Sequence, residues 1–282
     1  MTTGEDSRYL STADLLRLCD FLYRRTGMLF GETKRYYIDR RAADRVAATG
    51  AVSFGSYFNL LLSDPNEAEH LINRFTVNET YFYREEHQLR CLSASLLPDR
   101  IRDKMPGDRI RIWSVPCSTG EEPYSIAIWL LENWHLVDAY NVEIVGSDID
   151  SVVLKDASLG EYGKRSVSRL SDDLRQRYFE RAGGDRWRII QDLRESVSFR
   201  PANLIDAQSM ASEGAFDIIF CRNVLIYFDD ESRRRTVDHL YDALLPGGYL
   251  CLGHTESMNR ISQRFEVARF EDAVVYRRAR GN

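Results

Sequence analysis

The 282-residue chain lacks any apolar run long enough to cross a membrane. Its longest largely apolar stretch, Tyr124 to Leu131, falls far short of the ~20 residues a spanning helix needs. Met1 to Leu10 carries acidic residues and no apolar core, which is not the pattern of a secretion signal. Cysteine is scarce: five residues, odd in number and scattered, with no CxxC pair. That pattern fits reduced thiols in a cytoplasm better than a disulfide framework or a zinc site. The glycine-rich fingerprint of a dinucleotide pyrophosphate site is missing, as is a GxxxxGK phosphate loop. There is no basic excess either, since the net charge is −5, so a general nucleic-acid binder is not expected. No internal repeat and no low-complexity segment interrupts the chain.

What is present is a soluble globular composition, 44% apolar and 29% charged, in a length that suits one large domain or two ordinary ones. The charge is uneven. Arg24 to Arg45 holds seven basic residues against three acidic ones, which leaves the rest of the chain at −9. A basic face on an acidic protein points to docking on an acidic partner.

Residues 11 to about 75 read as helical. Ser11 to Asp14 resembles a capping box, and a second helix runs from Lys34 to about Ala48, ended by Gly50. In it Ile38, Ala42 and Val46 make the buried stripe, while Lys34, Arg41 and Arg45 share an adjoining face. A solvated face is the plain alternative for those three cations. Two shorter helices are expected over Ser53 to Leu62 and Asn66 to Arg74.

From residue 108 strands alternate with helices. Arg109 to Ser114, Asn141 to Gly146 and Phe216 to Cys221 read as strands, with helices from about Glu122, Ser151 and Asp230. Pro246-Gly247-Gly248 is read as a turn into a final strand, Tyr249 to Gly253. This rhythm predicts a parallel sheet covered on both faces. Trp187 to Ile190 and Val197 to Phe199, with a Gly183-Gly184-Asp185 hairpin turn, are read as a small antiparallel insertion.

In such a sheet, ligands bind at the carboxyl ends of the strands. There the turn Val115-Pro-Cys-Ser-Thr-Gly-Glu-Glu-Pro-Tyr124 has one glycine followed by two carboxylates. Glu121 and Glu122 repel a diphosphate but attract S-adenosylmethionine, which carries a sulfonium and an ammonium and no phosphate. Acids opening a helix also satisfy its dipole, which is the plainer account. Of the two acids at the tip of the second strand, Asp148 is the better candidate for a ribose diol, an arrangement NAD enzymes share, since Asp150 can cap the following helix; capping is the plain alternative for either.

Three segments in order resemble the chemotaxis receptor methyltransferases, the CheR family: Asn78-Glu-Thr-Tyr-Phe-Tyr-Arg84, Trp113 to Tyr124, and Cys221-Arg-Asn-Val-Leu-Ile-Tyr-Phe228. Leu245 to Gly248 and Gly253 to Ser257 fit as well. The resemblance covers nearly the whole chain. It implies a helical N-terminal domain over residues 1–80 with a basic receptor-docking helix, a linker helix over 81–107, and a Rossmann-like methyltransferase domain over 108–282. The β-subdomain is expected at about 176–200. It further implies transfer of a methyl group from S-adenosylmethionine to glutamate carboxylates of chemoreceptors, leaving methyl esters and S-adenosylhomocysteine. Glu122 would hold the cofactor's amino group and Asp148 its ribose. Asn203 and Leu204 would lie against the adenine, Asn223 and Val224 near the methionine part, and Asn78 and Thr80 on the helical-domain side. Arg84 and Tyr227 match the family's catalytic pair, Arg84 also contacting the cofactor. Helix capping for Asn78 and Thr80, and core packing for Tyr227, are the bland alternatives.

Two departures stand out. Pro116 occupies a position where a small residue is usual, stiffening the loop, and Asp44 and Ala47 thin the docking face, expected on Lys34, Arg41 and Arg45. The short Ala182 to Asp185 turn predicts no tight grip on a receptor's C-terminal tail peptide. His87, His135 and His239 are expected at the surface and His254 in core packing. A monomer without metal or membrane insertion is the default. The rival readings are a methyltransferase of another protein or small molecule on the same fold, and a non-catalytic cofactor-binding adaptor.

Overall fold

The computed structural model describes residues 10–281, apart from the side chain of Glu32. They divide into two compact units, residues 10–77 with 227–232, and residues 78–226 with 233–281.

The first unit is built from α1 (Thr12–Thr26), α2 (Arg35–Thr49), α3 (Phe54–Ser63) and α4 (Pro65–Phe75). Each boundary has a local cause. The Ser11 side chain accepts a hydrogen bond from the Asp14 N–H to open α1, and Gly27, at φ 73°, closes it. Ser53 and Ser56 form a reciprocal capping box on α3. Asp64 caps α4 with Pro65 in its first turn. Ile38 and Ala42 of α2 are fully buried, as are Leu18, Leu22, Tyr57 and Leu71 of the other three helices.

A carboxylate ties three of these helices together. Glu67 of α4 is 4% exposed. It accepts the Arg45 Nε (3.0 Å) and NH2 (2.5 Å) from α2 and the Tyr57 hydroxyl (2.8 Å) from α3. Arg45 is thereby engaged within the unit, its side chain 19% exposed. Arg41 is half-buried and lies over the Tyr37 ring at 3.4 Å while its Nε donates to the Arg74 carbonyl. Lys34 and Arg40 are exposed.

The second unit contains β1 (Arg109–Ser114), β2 (Asn141–Asp148), β3 (Glu161–Gly163), β4 (Phe179–Arg181), β5 (Arg186–Ile189), β6 (Val197–Pro201), β7 (Phe216–Cys221), β8 (Leu244–Leu252), β9 (Phe265–Arg269) and β10 (Val274–Arg278). Seven strands form one sheet in the order β6-β2-β1-β7-β8-β10-β9. The first five are parallel, with Ile112 opposite both Ile144 and Ile218. Every residue of β7 is buried, as a central parallel strand requires. The order reverses between β1 and β7, which opens a crevice at their carboxyl ends.

The expectation of a wholly parallel sheet needs correction: β10 and β9 add an antiparallel hairpin beyond β8. Their alternation is weak, because β9 is mostly exposed. Val197 to Phe199 also moves, since β6 pairs parallel with β2 instead of joining the insertion. The small sheet is β3-β5-β4, drawing a strand from Glu161–Gly163 and turning at Ala182 to Asp185. Pro246-Gly247-Gly248 is no separate turn but an irregularity within β8. A Cβ on Gly248 would sit 2.8 Å from the Leu245 carbonyl oxygen and 2.9 Å from that of Asp217. Residues 86–100 form consecutive helical turns whose Leu89, Leu92, Leu96 and Leu97 enter the core of this unit.

Removing Arg45 leaves the Glu67 charge buried and underpartnered. Arg45→Ala is expected to cost about 2–4 kcal/mol, near the low end for a buried pair because Arg45 is partly exposed. Urea melts measure this, and a loss below about 0.5 kcal/mol would show that the pair does not brace the helices.

Candidate functional site

The site is assembled at the carboxyl ends of β1, β2, β6 and β7. After Ser114 the chain passes the cis Val115-Pro116 peptide and turns at Ser118 (φ 49°) and Gly120 (φ 92°) into the helix Glu121–Asn133. Gly120 is required by more than its dihedral: a Cβ there would lie 2.9 Å from the Ala157 Cβ and 3.2 Å from Phe199 and the Tyr162 hydroxyl. The turn is pinned to the tip of β2, where the Asp148 carboxylate accepts the Ser118 N–H (2.8 Å) and the Asp150 N–H (3.0 Å). Burial pushes the Asp148 carboxyl up to about 6.

The two aspartates divide their tasks as their positions require. Asp150 accepts the Val152 and Val153 N–H groups, capping the helix Ser151–Leu159, and its other oxygen accepts the Asn78 amide (3.1 Å). Thr80 is half-buried two residues further on, before the Phe82 N–H meets the Ser166 carbonyl (3.0 Å). Past β6 the Ala202 N–H bonds the Asp148 carbonyl (3.0 Å). Asn203 then turns the chain through its own Oδ1 to the Ile205 N–H (3.3 Å), and Leu204 is buried. His239, expected at the surface, is half-buried and bonds the Leu204 carbonyl (2.9 Å).

The paired glutamates diverge. Glu121, 3% exposed, accepts the hydroxyls of Thr119 and Ser166, each at 2.6 Å, and so is a structural acid. Glu122 accepts the Ser114 hydroxyl (2.7 Å) and Arg222 NH1 (2.6 Å). Burial pushes both glutamates up, Arg222 and Ser114 restraining Glu122. Each Glu122 oxygen retains a second lone pair for an incoming donor.

Arg222, at the end of β7, is 6% exposed and joins three groups. Besides Glu122, its NH2 donates to the Arg84 carbonyl (2.8 Å) and pairs with Glu85 Oε2 (3.2 Å). Glu85 in turn meets His254 Nδ1 at 2.8 Å. Burial works to raise the Glu85 carboxyl, but Arg222 and His254 hold it below its ordinary range. His254 was expected in core packing; its side chain is instead 60% exposed and serves this pair. Arg84 itself is half-buried, with NH1 on the Glu79 carbonyl (2.6 Å). It sits between two left-handed residues, Tyr83 (φ 59°) and Glu85 (φ 57°), each a strain of about 1–3 kcal/mol that surrounding contacts must sustain.

Asn223 is also left-handed, at φ 60°. One carboxylate fixes its turn: Glu256 accepts the N–H groups of Asn223 (2.7 Å), Val224 (2.9 Å), Leu225 (2.7 Å) and Gly253 (2.9 Å). Gly253 has no room for a Cβ, which would stand 2.8 Å from both Asn223 Nδ2 and Glu256 Oε2.

Tyr227 belongs to the helical unit, where its carbonyl accepts the Leu29 N–H (3.0 Å) and Lys34 Nζ lies 5.8 Å from its ring centre. The structure thus gathers Asn78, Thr80, Arg84, Glu122, Asp148, Asn203, Leu204, Asn223 and Val224 in the second unit, and Lys34, Arg41, Arg45 and Tyr227 in the first. Sequence reasoning missed Arg222, Glu85 and Glu256. The available signal for Arg222 was a lone cation directly after the apolar run Phe216 to Cys221.

The donor set fits S-adenosylmethionine. Glu122 and Asp148 are carboxylates of the kind that suit an ammonium and a diol, and among the described residues the cation bonded to Glu122, Arg222, is already engaged by Glu122, Glu85 and the Arg84 carbonyl.

Residues 78–274 match the family described as CheR methyltransferase, SAM binding domain, and residues 13–76 match CheR methyltransferase, all-alpha domain. The chain is 44% identical over 269 residues to chemotaxis protein methyltransferase 2 of Vibrio cholerae serotype O1, covering 95% of this chain and 93% of that one. It is 36% identical over 263 residues to the chemotaxis protein methyltransferase of Escherichia coli strain K12, covering 92% and 89%.

Proposed function

The chain belongs to the CheR methyltransferase family, and from that premise we propose that it esterifies glutamate side chains of chemoreceptors in chemotactic adaptation. It is an S-adenosylmethionine-dependent methyltransferase. The observation that supports the site reading is that the turn after β1 is tied to the tip of β2 through Asp148, while Glu122, on the same turn, is joined through Arg222 to the Arg84 carbonyl.

S-adenosylmethionine supplies an electrophilic methyl carbon on a sulfonium. In this reading Glu122 accepts the cofactor's ammonium and Asp148 its ribose hydroxyls. Asn203 and Leu204 flank the adenine, Asn223 and Val224 the methionine part, and Asn78 and Thr80 close the near side. A glutamate acceptor, with a reference pKa of ~4.3, is already ionised at neutral pH, so no general base is required. The protein's task is alignment of carboxylate oxygen, methyl carbon and sulfur. Arg84 grips the oxygen that does not attack and the Tyr227 hydroxyl orients the other. These contacts must favour the transition state over the bound receptor, since too firm a grip blunts the nucleophile.

Receptor docking falls to Lys34 and Arg41, with Arg45 bracing the helix behind them. The short Ala182 to Asp185 turn supports action without a tight tail-peptide tether. Five free cysteines, four of them buried, suit a cytoplasmic setting. Among the described residues no single helix is long and apolar enough to cross a membrane.

Arg84→Ala and Tyr227→Phe are each expected to lower turnover by about 10²-fold with S-adenosylhomocysteine affinity nearly kept. Labelled methyl donor and a receptor cytoplasmic fragment provide the assay. The label should be released by mild base, and base-stable label would indicate a different acceptor. The Asp148 carboxyl, pushed up to about 6, must be ionised to accept two hydroxyls. Product affinity should therefore fall as pH drops below about 6, by up to about tenfold per unit, and be level above pH 7. Asp148→Asn should remove that break, and a wild-type affinity flat from pH 5 to 7 would sink the ribose assignment. Charge reversal at Lys34 and Arg41 should weaken receptor methylation and its salt sensitivity together. Unchanged rates in both variants would leave the docking assignment without support.

A further inference from the structure

We infer that Arg222 is a positioning residue that sets the cofactor-side carboxylate and the Arg84 loop in one fixed relation. The inference rests on the site reading above, in which Glu122 meets the cofactor and Arg84 meets the receptor carboxylate.

Three observations carry it. Arg222 is the one cation bonded to Glu122 among the described residues, and its planar head reaches the Arg84 carbonyl and Glu85 as well. The loop it holds is strained on both sides of Arg84, at Tyr83 and Glu85, and so does not keep its shape by local preference. The other ties on that loop act elsewhere than on the Arg84 carbonyl: the Tyr83 N–H goes to the Ser125 hydroxyl (3.0 Å), Glu85 accepts Gln88 Nε2 (2.9 Å) and meets His254, and Arg84 NH1 reaches the Glu79 carbonyl.

Two functions are therefore separable within one side chain. Its charge keeps Glu122 an anion ready for an ammonium, and its fork fixes where Arg84 stands. A lysine would supply the charge but not the fork, because its single ammonium has no planar set of donors to span three acceptors.

The test uses the full chain, calorimetry with S-adenosylhomocysteine, and labelled methyl transfer to a receptor cytoplasmic fragment. Arg222→Lys should bind product within about threefold of wild type while kcat falls about tenfold or more. Arg222→Gln should lose both, its Kd rising about tenfold or more. Added to Arg84→Ala, Arg222→Lys should slow turnover no further, because it acts through Arg84. Glu85→Gln provides a milder arm, expected to lower kcat with product affinity kept, and it keeps the question answerable should Arg222→Gln not fold.

The inference is overturned if Arg222→Lys and Glu85→Gln both keep wild-type kcat, or if the Arg84 and Arg222 losses multiply in the double variant. It is also overturned if each drop in kcat merely equals a drop in folded fraction. Normal turnover by Arg84→Ala would bring down the site reading itself, whereas a crippled Arg84→Ala beside a normal Arg222→Lys sinks only the inference.

Discussion

A guanidinium removed from water needs anions around it, and Arg222 finds two. Glu122 and Glu85 come from the start of one helix and the end of a strained loop. Arg222 lowers the cost of ionising both acids, and the acids in turn compensate the buried guanidinium. This mutual dependence forces three remote stretches of chain, residues 83–85, 114–122 and 222, to meet at one point beyond the sheet. The crevice at the switch between β1 and β7 is thereby converted from a gap into a site of defined charge.

The remaining walls are built by a related device. Backbone N–H groups that other nucleotide-binding turns offer to phosphates are here satisfied by the protein's own carboxylates. Asp148 takes those of Ser118 and Asp150, and Glu256 takes four. The crevice consequently presents acceptors where a phosphate site presents donors, which agrees with a ligand bearing an ammonium and a sulfonium. Backbone atoms set the shape and acids set the sign.

Much of this was legible in local sequence. β1 and β7 follow directly from their patterning, and the cap at Ser11 marks a helix start through a contact made within a few residues. The Asp150 cap was readable because capping is made within a few residues. What stayed hidden depends on distance along the chain. Arg45 reads as a surface cation until Glu67, 22 residues away, is brought beside it. Arg222 meets Glu122 across 100 residues, and Glu256 meets Asn223 across 33. The β9-β10 hairpin was missed for another reason: an exposed edge strand has no buried face to impose alternation.

Glu256 also differs from the other anchors in a way that bears on how such proteins drift. Its four partners are peptide groups, which every residue but proline supplies. No second substitution can therefore repair its loss, as a swapped arginine might repair a lost glutamate in an ordinary ion pair. Comparison of related chains for paired changes would find nothing coupled to this position, although a whole turn hangs from it. Its importance would show only as an absence of change.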